Sequence, residues 1–370
     1  MGWRKKPKYN VGYNNDYSKK DSKTMQERVQ AGQIITNKNK KNIVERVLKW
    51  IIYVILLIAI PRYLKSSKTK GREIVNSAYS KLNSNEFSFV PAGYALYLFL
   101  SFIPIITLVF GIIGSISSEY EAVLKDIILG QIIPGVGAVV PSAVKLWSST
   151  GGTVAFILFT ISVIWFASKG YSKMIQSMDA LYGHKTTNQA LKTRFKGFIA
   201  SIIISILLTA VLLGFTAFTT FLIDKAGMGT IEKVVKDGIE EIIVKPDWSF
   251  NLVYWFTVIL FLPIITYISF LCFFKFAPNF KLKFSQAHPG ALVTSLPTSL
   301  FILIFGSLTS LIKYDKFGVV ASFMYVILLL SFMSYFIYAG LIVNSSFYHI
   351  FINLPTVEKN SWWKPKNKIL

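Results

Sequence analysis

The sequence predicts an all-α fold: a polytopic membrane helix bundle with six transmembrane helices, plus N-terminal interfacial and amphipathic helices. Three observations predict it. Hydrophobic residues make up 53% of the 370 and mean hydropathy is +0.50, too apolar for a water-soluble domain. Six runs contain no Asp, Glu, Lys or Arg. Each is long enough to cross a hydrocarbon core of about 30 Å as a helix rising about 1.5 Å per residue. With both termini placed in the cytoplasm, 32 of the 40 Lys and Arg lie inside and 8 outside, while the acids divide 8 and 10. A bias confined to Lys and Arg is the positive-inside pattern, and it places the chain in the cytoplasmic membrane with the N and C termini cytoplasmic.

Residues 1–46 are rich in Lys, Asn, Asp, Gln and Ser. Such a stretch buries too little surface to offset its ordering entropy, so it reads as a basic disordered cytoplasmic tail without a cleavable signal peptide. It serves either as a topology signal or as a contact with anionic lipid or RNA. Residues 47–89 read as interfacial and amphipathic cytoplasmic helices. The apolar piece Trp50–Ile60 is short for a span and basic on both flanks, which favours a helix lying in the interface over a seventh span. Over 65–89 a second helix gathers Ile74, Val75, Ala78, Tyr79 and Leu82 on one side.

The membrane domain is assigned to 90–345. Its charge-free runs are Val90–Ser118, Leu146–Ser168, Gly197–Ile223, Trp248–Phe274, Phe284–Ile312 and Phe317 to about Val343. Pro104 lies mid-span, where neighbouring helices can re-satisfy the backbone group it frees, and a kink is expected there. Gly93, Gly111 and Gly114 read as close-approach positions. Outside, 119–148 is broken by Gly and Pro and suits two short helices. The outer stretch 230–244, with Ile231, Val234, Val235, Ile239, Ile242 and Ile243 among charges, suits an amphipathic helix. Residues 346–370 close the chain as a basic cytoplasmic tail.

Few residue patterns point to chemistry. A net charge of +22 would suit nucleic acid on a soluble surface, but here it follows topology, and no specific nucleic acid is expected. The single Cys272 excludes an internal disulfide and a multi-cysteine metal site. His184, His288 and His349 are far apart, without the paired carboxylates that metal-dependent cleavage requires, and no ATP-binding Gly-Lys-Thr loop is present. No enzyme activity and no cofactor are expected.

The polar groups at membrane depth are the candidates. Lys169, Lys173 and Asp179 follow one another at one helix end, where the lysines either hold an anionic headgroup or solute or merely snorkel. Thr294, Ser295, Pro297, Thr298 and Ser299 form a polar, Pro-containing stretch in the fifth span, suited either to lining a path or to helix packing. Ser101 and Pro104 are placed with them.

The run Phe87–Gly111, with Ala-Gly-Tyr-Ala-Leu-Tyr-Leu-Phe-Leu-Ser-Phe-Ile-Pro, resembles the YihY/virulence factor BrkB family of inner-membrane proteins, once labelled ribonuclease BN. Trp165–Tyr182 looks like its second-span exit, Phe276-Ala-Pro-Asn-Phe-Lys-Leu-Lys-Phe284 continuing through Pro289-Gly-Ala is similar to its Pro-containing cytoplasmic turn and the start of the next helix, and Phe317–Val326 with Ala339–Asn344 look like its last span. The resemblance covers roughly 80–345. It departs where Ile342 replaces a common acid and where Asp179 stands for a common Asn. It implies an integral membrane protein with proposed transport or envelope roles.

The expectation that follows is a transporter-like protein for a lipid, amphiphile or small solute, with the first, second and fifth spans as the path and a cavity opening near Ser101, Pro104, Thr294 and Thr298. The alternative is a non-transporting envelope scaffold that binds a partner through its outer loops. Membrane lipids, through anionic headgroups at the cytoplasmic face, are the expected partners. The sequence leaves a protein partner, a homo-oligomer, the substrate and its direction open.

Overall fold

The computed structural model describes residues 43–132, 150–184, 190–236, 239–311 and 318–359. The basic tail expected over 1–46 falls outside them up to residue 42, as does the outer segment 133–149. The chain divides into two units, 1–48 and 49–370. Of the first, only the start of the first helix is described.

The fold is an all-α polytopic membrane bundle. Helix α1 is Ile43–Ala59, α2 Pro61–Ser66 and α3 Lys68–Leu82. Six helices long and apolar enough to cross a membrane follow among the described residues: α4 (Asn85–Ile116), α6 (Thr150–Leu181), α7 (Ala190–Asp224), α8 (Trp248–Phe276), α9 (Phe284–Leu311) and α10 (Gly318–Phe347). Between α4 and α6 the short α5 (Ser118–Ala122) runs into a π-helical stretch, Val123–Leu129, and a last turn, Gly130–Ile132.

The amphipathic helix expected over 65–89 is shorter. Its side chain cap is Ser67, which accepts from Lys70 N–H, and it ends at Leu82, so 85–89 belong to α4. Ile74, Val75 and Ala78 are buried as the periodicity requires. At 17 residues α1 is about 25 Å long, shorter than the hydrocarbon core. It buries Ile52, Leu56 and Ala59, one helical stripe, while Trp50, Tyr53 and Leu57 stay exposed.

The outer stretch overturns its expectation. Residues 230–244 form no helix; they make an antiparallel hairpin of β1 (Gly229–Lys236) and β2 (Ile239–Pro246), in register from Gly229 opposite Pro246 to Lys236 opposite Ile239. Asp237-Gly238, between the paired ends in sequence, is the dipeptide most typical of a two-residue hairpin connection, and β-branched Val and Ile dominate both arms. The helical spacing of the apolar residues was coincidental beside that signal. Lys233 pairs with Glu119 at 3.2 Å, tying the hairpin to α5.

The spans pack in the order α7, α6, α4, α10, α9, α8, and α7 and α8 touch only slightly although consecutive in sequence. Central α4, α9 and α10 are the most enclosed; α6, α7 and α8 present most of their surface outward. Two apolar clusters fill the interior. At the hairpin end, Val109, Phe110 and Ile113 of α4 meet Leu124, Ile128, Phe250 and Tyr254. At the opposite end, called the tail end here, Leu56 and Ile74 join Ile175, Met178, Ala291, Leu341 and Phe347.

The tightest crossing joins α9 to α10. Gly290 and Gly340 face each other so closely that a Cβ on Gly340 would lie 2.6 Å from the Gly290 carbonyl oxygen and would also strike Thr294 Oγ1. Asn344 locks the crossing: its Oδ1 accepts from Gly290 N–H at 2.6 Å and its Nδ2 donates to the Ala287 carbonyl at 3.1 Å. Gly93 has nothing within 4 Å of the place its Cβ would occupy, so the close approach expected there is absent.

Candidate functional site

The densest polar construction among the described residues lies at the tail end, where α6 and α7 meet the loop between α8 and α9. Asp179, two residues before the end of α6, is 3% exposed. Its Oδ1 accepts from Asn279 N–H at 3.2 Å and its Oδ2 from Asn279 Nδ2 at 2.5 Å. Asn279 Nδ2 also reaches Thr193 Oγ1 of α7 at 3.4 Å. Lys196, one turn further along α7, donates to the Pro278 carbonyl at 2.5 Å and to Asn279 Oδ1 at 3.3 Å. A carboxylate from one helical hairpin is thus satisfied by the loop of the next.

The chain's last described residues strap this knot. After α10 a π-helical turn, Tyr348–Ile352, ends at Asn353, whose φ of 45° is left-handed, a conformation Asn tolerates better than most residues. Lys281 N–H donates to the Val357 carbonyl at 2.8 Å and Lys359 N–H to the Asn279 carbonyl at 3.0 Å, pairing Phe280 with Glu358 in an antiparallel bridge. Lys359 Nζ donates to the carbonyls of Lys275, Phe276 and Pro278 at 3.3, 3.0 and 2.9 Å, capping the carbonyl end of α8 where a cation is favoured. Glu358 pairs with Lys192 at 2.7 Å, and Thr356 Oγ1 lies 2.8 Å from His184 Nδ1. Residues 353–359, read from sequence as part of a basic tail, are therefore packed against the bundle.

Burial against the end of α8 pushes the Lys359 ammonium down to about 8; Lys275 adds repulsion and Asp179 offsets part of it. The sign follows. The docked strap holds this proton less well than a free segment, whose lysine keeps the ordinary value of 10.5. Docking is weakest below pH 8 and strengthens from about 8 toward 10.5, by at most about tenfold per pH unit. Anisotropy of a fluorophore on Ser361→Cys in a Cys272→Ser background should rise over that window, and Lys359→Gln should flatten the rise. An unchanged profile in the variant would assign the titration elsewhere.

The other residues singled out in sequence fall as follows. Ser101 is buried with Oγ donating to the Tyr97 carbonyl at 2.7 Å. α4 continues through position 104, and the Pro104 side chain lies outside the described residues. Thr294 and Thr298 are buried and donate to the carbonyls of Gly290 (2.9 Å) and Thr294 (2.6 Å). Ser295 is buried with no hydrogen-bond partner for its hydroxyl, and Pro297 is partly buried within α9. Lys169 is half-buried with its Nζ 5.6 Å from the Phe166 ring centre, and Lys173 is exposed. α4 and α9 each pack along α10 rather than along one another, so Ser101 and the Thr294–Thr298 stretch stand on helices that are not partners.

Lys196 and the strap went unremarked in the sequence, and Asn279 entered only as part of the turn that carries the family resemblance. The Pro278-Asn279 pair beside the end of an apolar run was the available signal.

A family model described as virulence factor BrkB matches residues 78–357, from within α3 to the strap. The chain belongs to the virulence factor BrkB family. No curated protein and no solved structure matches it. In this BrkB-family protein the match spans all six crossing helices and ends one residue before Glu358 and Lys359. No three His, Cys, Asp or Glu side chains gather into a metal site among the described residues.

Proposed function

We propose that this protein moves an amphiphile or small solute across the cytoplasmic membrane by rocking the α6–α7 hairpin against the α8–α9 hairpin, with the Asp179 knot as the closed gate at their cytoplasmic ends. The knot carries the reading. Apolar packing would hold two hairpins together at least as well as a buried carboxylate and lysine. A polar closure has a different merit: its groups rehydrate when parted, whereas parted apolar surfaces pay in full for exposure to water. The slight contact between α7 and α8 leaves the two hairpins free to separate along their length.

An envelope scaffold is the second reading, and the hairpin at the opposite end favours it. Val235 of β1 is 68% exposed, while Ile231 on the same arm packs against the apolar cluster of the bundle. Reconstitution separates the two. Purified protein in vesicles containing a fluorescent phospholipid should expose inner-leaflet label to an impermeant quencher faster than empty vesicles do, or should release an entrapped solute. Neither exchange nor flux in any vesicle composition would overturn transport in favour of the scaffold.

A further inference from the structure

The outward face of α6 and α7 at the tail end carries positive charge that no described residue neutralises. Arg194, one turn into α7, stacks its guanidinium on the indole of Trp165, 4.5 Å from the ring centre. Its Nε and Nη2 are withheld from solvent and have no hydrogen-bond partner. Lys169, one helical turn beyond Trp165, and Lys173, one turn further, share that side of α6. None of the three makes an ion pair among the described residues, and the oxygens of the nearby Asp179 are committed to Asn279.

Two guanidinium nitrogens withheld from water and left without an acceptor are costly, and stacking on an indole returns about 2 kcal/mol at most. The surroundings say which anion completes it. Trp165 is 55% exposed, and Phe166, Phe195, Ile199 and Ile161 are exposed beside it on helices that cross the membrane. A phosphate pairs with guanidinium through two parallel charge-assisted bonds, and basic residues bordering an apolar face suit a headgroup above its acyl chains.

We propose that α6 and α7 form a binding site for an anionic phospholipid, its phosphate held by Arg194 and Lys169 and its chains lying along Phe195, Ile199 and Ile161. The site stands apart from the transport reading, since a lipid bound here need not move.

The test titrates the full chain in detergent with phosphatidylglycerol, phosphatidylcholine and inorganic phosphate, reading bound lipid by native mass spectrometry. Phosphatidylglycerol should bind about tenfold more tightly than phosphatidylcholine, because the two share the phosphate but the choline cation of the second is repelled by Arg194, Lys169 and Lys173. Arg194→Gln should remove that preference. Lys225→Gln, which deletes an exposed charge beside Asp224 at the other end of α7, should keep it. Trp165→Leu, which leaves the charge in place but removes its platform, should lower phosphatidylglycerol affinity about threefold, and it carries the test if Arg194→Gln fails to fold. Equal losses in Arg194→Gln and Lys225→Gln, or equal binding of the two lipids, would overturn the site. Inorganic phosphate binding as tightly as phosphatidylglycerol would overturn its assignment to a lipid.

Discussion

Gly340→Val should leave almost no folded protein. A Cβ at 340 meets Thr294 Oγ1 and the Gly290 backbone, and backbone cannot rotate away as a flexible side chain can. α9 and α10 must then move apart, which breaks the Asn344 bridge to Gly290 N–H and strips contacts from the tail-end cluster. Overpacking costs about 1–3 kcal/mol where neighbours can yield. With neighbours that cannot, and a buried amide orphaned as well, the loss exceeds about 4 kcal/mol, a large part of a typical total stability. Gly93→Val is the matched control, since a side chain there enters open space. Size-exclusion profiles in detergent should show aggregate for the first variant and a wild-type peak for the second. Matching peaks would mean that the two helices do not cross where described.

Asp179→Leu should be the next most damaging substitution. It removes the acceptor of both Asn279 donors and the negative charge that faces Lys196. Breaking one partner of a buried polar pair costs about 3–5 kcal/mol, because the remaining groups stay desolvated. Asp179→Asn keeps an oxygen for one Asn279 donor and should lose about half as much. The strap is anchored on the same loop, so proteolysis near Leu354 should accelerate in step with the fall in melting temperature. A variant that melts like the wild type while its strap stays protected would show that the carboxylate is not what joins the two hairpins.

Much of this architecture was legible in the chain. The span positions follow from charge-free runs, because a charge inside hydrocarbon is expensive enough to leave a visible gap in the sequence. The stripe of Ile74, Val75 and Ala78 was legible for a similar reason, since burial of one helix face imposes a fixed period. The hairpin over 229–246 was misread, because apolar residues spaced for a helix can equally sit on paired strands, and Asp237-Gly238 outweighed that spacing. The candidate site was legible only in fragments. Asp179 was noticed as a charge at a helix end, but its partner Asn279 lies a hundred residues away, and no local pattern links the two to Thr193 and Lys196, which bond Asn279 in turn.

The sequence by itself determined that this chain carries six helices long and apolar enough to cross a lipid bilayer, because transfer free energies act on each segment separately and leave a local record. Only the tertiary structure decided which hydroxyls serve packing, which glycines let helices cross, and that Asp179, Asn279 and Lys359 join one hydrogen-bonded network. Those outcomes depend on contacts between segments distant in sequence, and such contacts are fixed when helices meet.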